Sequence, residues 1–270
     1  MDSCERLTND GTMKLAPAFV ADGSAIVFSG HDVPRQVSLM QLKLSDGSQK
    51  RLFPSINAHQ LDAAFSNDGR FQCFAMSTGS PQTVLVIKDT REQQEFQFRP
   101  IGARSTARSP KFTPNQERII FTLSSDGGRQ IASVNNQGQD LKKLTQSNSI
   151  NREPSISPDG RNIAFSSSRK GSFDIYVMNT DGGDVHRLTD GRFRDLRPAW
   201  SPDGKRIAFT SARDGNLEIY IMQADGSNQV RVTNHPERDD YPTWHPDGRR
   251  LLSVSERNGQ FDLFLRDVSV

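Results

Sequence analysis

The sequence predicts an all-β fold, a six-bladed propeller of four-stranded antiparallel blades whose ring is closed by the N-terminal strand. Three observations carry this: a repeat of 44 to 47 residues through the whole chain, a turn-punctuated strand pattern within each repeat, and two chain ends that together make one more repeat. Pro154–Arg161, Pro198–Lys205 and Pro242–Arg249 nearly superimpose, each with Pro-Asp-Gly at its centre. Weaker copies surround Asp22, Asp68 and Asn115. With Asp159, Asp203 and Asp247 these give marker steps of 46, 47, 44, 44 and 44 residues.

Each repeat reads as four strands. In the fifth, residues 198–201 form the first, and Pro202-Asp203-Gly204 turns the chain, Pro presetting φ and Gly accepting a left-handed conformation. Residues 206–210, 217–222 and 230–233 follow, separated by Asp-Gly turns. The inner strands are apolar at consecutive positions, as in Ile163-Ala164-Phe165 and Ile175-Tyr176-Val177-Met178. Consecutive strand side chains face opposite ways, so both faces are buried, as stacked blades require. The last repeat has only three strands before the chain ends. Arg6-Leu7-Thr8 matches Arg187-Leu188-Thr189 and Arg231-Val232-Thr233, each fifteen residues before a marker, so residues 4–8 supply the missing fourth strand. The expectation is a single domain over 1–270.

Composition narrows the function. The chain has 34 Lys and Arg against 32 Asp and Glu, a net charge of +2, which excludes a strongly basic nucleic-acid clamp. The stretch Arg99 to Lys111 carries four cations and reads as an irregular loop, without the interleaved aromatics of a single-strand binder. No apolar run reaches the ~18 residues of a membrane helix, and Met1–Gly11 contains no export signal. Cys4 and Cys73 allow at most one disulfide, leaving the redox compartment open.

The repeat Pro-x-Trp-Ser-Pro-Asp-Gly-Lys-x-Ile-Ala-Phe, followed by Asp-Ile-Tyr-Val-Met, Asp-Gly-Gly and Arg-Leu-Thr, resembles the TolB-type repeat, also called the WD40-like PD40 repeat. Residues 152–267 carry it strongly. The first three repeats depart from it at Pro54, Pro81 and Pro100 and where Asn115-Gln116 replaces Asp-Gly. The resemblance implies a propeller that, in TolB itself, sits in the bacterial periplasm behind a smaller α/β domain and binds a lipoprotein over its channel. The same repeat occurs in oligogalacturonate lyases, peptidase propellers and sensor proteins. A monomeric, non-catalytic binding platform for a protein or peptide is expected, periplasmic or extracytoplasmic, with no nucleic acid and no membrane insertion. The alternatives are a carbohydrate-active enzyme resembling oligogalacturonate lyase and a ligand-sensing domain of a larger regulator or membrane protein.

Chemistry-bearing motifs are few. The Asp-Gly pairs lack the ~12-residue alternation and terminal Glu of a calcium loop and read as turns. His31, His59, His186, His235 and His245 form no metal-binding motif, and no Gly-x-Ser-x-Gly elbow or phosphate loop occurs. No metal, cofactor or catalytic residue is expected. Phe19, Phe65, Phe112, Trp200 and Trp244 recur at one repeat position and read as wedges between blades. The candidate binding surface is the mouth formed by loops entering the first strands. There Asp62, Arg108, Arg152, Glu153, Asp195, Arg197, Asp239, Asp240 and Tyr241 fall at equivalent places. They read either as a mixed-charge rim that docks a peptide, protein or small anion, or as charges paired between blades that solvate the rim.

Overall fold

The computed structural model describes residues 4–33, 36–79, 81–125 and 127–268. Among them there are 24 strands and no helix. β1 (Cys4–Arg6) begins the chain. It is followed by β2 (Lys14–Phe19), β3 (Ala25–Val33), β4 (Gln36–Lys43) and β5 (Gln49–Arg51), one four-stranded antiparallel sheet. Two more sheets of the same order are β14 (Asn151–Ile156), β15 (Asn162–Lys170), β16 (Ser172–Asn179), β17 (His186–Arg187), and β18 (Asp195–Trp200), β19 (Arg206–Ser211), β20 (Glu218–Gln223), β21 (Val230–Arg231). A fourth contains β22 (Asp239–Trp244), β23 (Arg250–Arg257) and β24 (Gln260–Asp267), with β1 antiparallel on the outer edge of β24.

The expectation of six separate four-stranded blades is corrected here. Four blades stand as separate sheets. The intervening strands, β6 (Gln60–Phe65), β7 (Phe71–Ser77), β8 (Thr83–Asp89), β9 (Gln94–Phe98), β10 (Thr106–Phe112), β11 (Arg118–Ser125), β12 (Gly128–Asn135) and β13 (Lys142–Lys143), join in one eight-stranded sheet. The join is a parallel pairing of Thr106 with Thr83. The Thr83 hydroxyl accepts from the Ala107 N–H at 3.1 Å and lies 3.2 Å from the Ala107 carbonyl, so a side chain continues the ladder where backbone pairing would stop.

The turn chemistry is local. The markers Asp22, Asp68, Asn115, Asp159, Asp203 and Asp247 each accept, through side-chain Oδ1, the backbone N–H two residues on. The following residue is left-handed, and Gln116 takes that role at φ +61° where the other repeats have Gly.

Packing ties repeats together in a ring. Each of six buried apolar clusters draws on two successive repeats, and one unites Ile26, Phe28 and Leu42 of the first with Leu252, Val254, Leu263 and Leu265 of the last. Phe19, Phe65, Phe112, Trp200 and Trp244 pack at these seams.

The short outer strands are held by a recurring clamp. Thr8, Thr189 and Thr233 each accept an N–H from the neighbouring strand and donate to a buried carboxylate, Asp262, Asp174 and Glu218 respectively. Arg6, Arg187 and Arg231 pair with the same carboxylates. The ladder itself is only two or three residues long in these strands, so the Arg-x-Thr pattern supplies what backbone pairing does not. Cys4 is exposed and Cys73 buried, both as free thiols.

A different ion pair sets an acid limit. Arg70 grips Asp89 with Nε at 3.0 Å and Nη2 at 2.6 Å, and the N–H groups of Arg91 and Glu92 add to it. The Arg70 hydrogen bond holds this carboxyl down at about 2. A depressed folded pKa contributes stability that is complete above the unfolded value and lost as pH falls through the folded one. Asp89→Asn is therefore expected to be less stable than wild type at pH 7 and to lose less on acidification from pH 4 to 2. Equal slopes of denaturation midpoint against pH in that window would refute the assignment.

Candidate functional site: the channel mouth

Each of the six first strands carries a β-bulge at the same place. The residue there is left-handed in every case: Ala16, Asp62, Ser109, Glu153, Arg197 and Tyr241 have φ between +47° and +58°. None is glycine, and five precede proline. Such conformations cost of order 1–3 kcal/mol each and are disfavoured further before proline. The bulge turns these six side chains out of the strand alternation and into one cavity of about 570 Å³, the channel between the first strands.

The bulges are held across the seams. The N–H groups of Asp62, Glu153 and Arg197 donate to Ser29, Thr122 and Ser166, hydroxyls on the second strand of the preceding repeat. Ala75 stands at that position in the second repeat, and there the Ser109 N–H donates to the Asp62 carboxylate instead.

The polar residues form two knots. Asp62 accepts Arg108 Nε at 2.6 Å and Nη2 at 3.1 Å. In the second knot, Arg197 Nη1 lies 3.0 Å from Asp240, its Nε 3.6 Å from Glu153, and its guanidinium 4.2 Å from the Tyr241 ring centroid. Asp240 also accepts Thr210 Oγ1 at 2.9 Å and the Tyr241 N–H at 2.8 Å, and Glu153 accepts Ser166 Oγ at 3.0 Å. Burial works against the charged Arg197, but the carboxylates of Asp240 and Glu153 outweigh it and raise its pKa. Burial pushes the Asp240 carboxyl up, with Arg197 opposing, and raises the Tyr241 phenol in the same way.

The structure therefore brings Asp62, Arg108, Glu153, Arg197 and Tyr241 to the channel, with Asp240 behind them holding Arg197. It sends three expected mouth residues elsewhere. Asp195 and Asp239 are fully buried partners of Arg213 and Arg257 at the starts of β18 and β22. Arg152 stacks on Phe173 at 4.4 Å behind Glu153. Asp195 and Asp239 lie two residues before the bulge, outside the twist that redirects the sixth-from-marker side chain, whereas Arg152 and Arg108 share the position one before it and are separated by their partners, Phe173 for Arg152 and Asp62 for Arg108. The stretch expected as an irregular loop is one over residues 99–105 only, since Arg108 and Lys111 lie on β10.

Lys111 is the channel residue that the sequence reading passed over. It lines the cavity four residues before its marker, where the other repeats have Ala18, Ala64, Ser155, Ala199 and Thr243. Alignment on the marker exposes it as one long cation among small side chains. Among the described residues there is no group of three or more His, Cys, Asp or Glu side chains able to hold a metal ion.

An all-β ring of repeats around an open channel with a charged, aromatic-bearing mouth defines a β-propeller. A family profile described as the TolB beta propeller domain matches residues 45–195, more than half of the chain. The chain belongs to the TolB β-propeller family. The N-terminal β-propeller domain of Tricorn protease matches residues 179–269. No curated protein sequence matches the chain significantly. Among solved structures, TolB from Acinetobacter baumannii is similar with a TM-score of 0.74 at 22% identity, over 88% of this chain and 59% of that one. TolB from Agrobacterium tumefaciens gives 0.68 at 22%, over 77% and 74%. An oligogalacturonate lyase from Vibrio parahaemolyticus gives 0.63 at 13%, over 98% and 93%. At these identities the likeness concerns the fold.

Proposed function

We propose that this protein is a non-catalytic, monomeric binding platform that docks a protein or peptide on the channel mouth formed by Asp62, Arg108, Glu153, Arg197 and Tyr241. One observation carries the reading: six left-handed, non-glycine bulge residues aim side chains of different chemistry into one opening. Strain retained at non-glycine positions is a mark of functional surfaces, and a rigid scaffold with varied side chains at one face suits recognition. Arg197 stacked on Tyr241 joins two residue types enriched at binding hot spots. The TolB relationship suggests an extracytoplasmic location, the periplasm in a bacterium.

The test is a photo-crosslinking amino acid at position 241, applied in cells. A discrete adduct with one protein species is expected, and Tyr241→Ala should weaken binding of that species roughly tenfold or more. No adduct from position 241, with unchanged binding by Tyr241→Ala and Arg108→Ala, would remove the mouth as the docking surface.

A further inference from the structure

The channel contains one cation that the protein does not neutralise. Arg108 is taken by Asp62, and Arg197 by Asp240 and Glu153. Lys111 lines the same cavity, and no hydrogen bond or ion pair holds its ammonium among the described residues. The opposing charge that acts on it is Asp62, already bound by Arg108 and by the Ser109 N–H. Burial depresses the ammonium, and Asp62 only partly restores it. An ammonium without a fixed partner in the channel is available to a bound anion, and the five equivalent positions carry the small side chains of Ala18, Ala64, Ser155, Ala199 and Thr243.

The rest of the lining narrows what could meet it. Pro110, Pro154, Pro198 and Pro242, with Trp200 and Trp244, give the walls an apolar character, and a volume of about 570 Å³ falls within the usual range for a small ligand or a few residues of peptide. With Arg108 and Arg197 committed to Asp62, Glu153 and Asp240, the single remaining cation matches a monoanion better than a dianion such as a phosphate ester.

We propose that Lys111 anchors a single carboxylate inserted into the channel on a short, partly apolar stem. The carboxylate is either the C-terminus of a docked peptide or that of a free small organic acid. The inference deepens the docking reading and rests on it only in the peptide case.

The experiment uses the whole chain with lysine labelled at Cε and Nζ, the Lys111 signal being assigned by its loss in Lys111→Met. Four probes are titrated: N-acetyl-Ala-Ala-Leu as the free acid and as the C-terminal amide, and hexanoate and hexanamide. The expected result is a saturable shift of the Lys111 signal with an acid and not with its amide, and affinity reduced about tenfold or more in Lys111→Met. A response to the peptide acid alone identifies a peptide carboxylate, and one to hexanoate alone identifies a free acid. No response to either acid, equal responses to acids and amides, or unchanged affinity in Lys111→Met overturns the proposal. Should Lys111→Met fail to fold, Lys111→Arg, which keeps the charge and lacks the lysine label, assigns the signal, and the wild-type comparison of acids with amides then decides. The docking reading is judged separately by the position 241 crosslink: that adduct persisting without any Lys111 response sinks only the carboxylate anchor.

Discussion

Asp262→Ala is expected to destabilise the protein by about 3–5 kcal/mol, the size seen when one partner of a buried charge pair is removed. Asp262 is fully buried in β24 and receives three groups from the N-terminal segment: Arg6 at 2.6 Å, Thr8 at 2.7 Å and the Lys14 ammonium at 3.4 Å. Lys14 is itself fully buried, and without Asp262 its charge keeps Asp10, the Thr12 hydroxyl, two carbonyls and the face of Phe28. The same carboxylate orients Thr8, whose hydroxyl accepts the Leu263 N–H. Its loss should release β1 from β24 before the rest of the ring opens. Denaturant titration should show the lower stability, and hydrogen exchange should show residues 4–8 losing protection first. Pairing Asp262→Ala with Lys14→Met should recover part of the loss, because the stranded ammonium is then gone. Wild-type stability with residues 4–8 still protected would mean that the clamp is not what holds the first strand to the last sheet.

Arg197→Ala should have an effect of similar size, about 3–5 kcal/mol at pH 7, with a distinctive pH dependence. The substitution leaves the buried carboxyl of Asp240 near Glu153 with no cation between them. Burial already pushes Asp240 up, and Arg197 is the main opposing influence. Removing it moves the folded pKa further above the unfolded one. The folded state then binds more protons than the unfolded state in the interval between the two values, so stability falls as pH rises through it and returns on acidification. The variant should regain part of its deficit on going from pH 7 to pH 5, which Arg197→Ala/Asp240→Asn should not do. A deficit independent of pH in the single variant would show that Arg197 acts by packing on Tyr241 and not by charge.

Much of this was legible in the chain itself. The marker Asp and its Pro-Asp-Gly turn are a local matter, since an Asx turn closes within three residues. The Arg-Leu-Thr spacing pointed residues 4–8 to the last repeat, and β1 does pair with β24 there. The double-width sheet was not legible: it depends on where the Thr83 side chain meets the Ala107 backbone, a contact between repeats that no period encodes. The mouth was partly legible. Aligning on the marker picked out Asp62, Glu153, Arg197 and Tyr241, but it could not tell them from Asp195 and Asp239, which carry equally plausible charges. The hydroxyl at Ser29, Thr122 and Ser166, seven residues after each marker, was a readable sign of the bulge.

The sequence alone therefore determined the all-β repeat, the turns and the four-strand order within a repeat, because these follow from spacings within about 45 residues, while the family came from the resemblance of the repeat's motif residues. Only the tertiary structure decided which charges face the channel, which are consumed in pairs, and that Lys111 is left over. A bulge reverses the direction of a side chain without changing its spacing, and a partner across a seam is chosen by distance in space, to which chain order is blind.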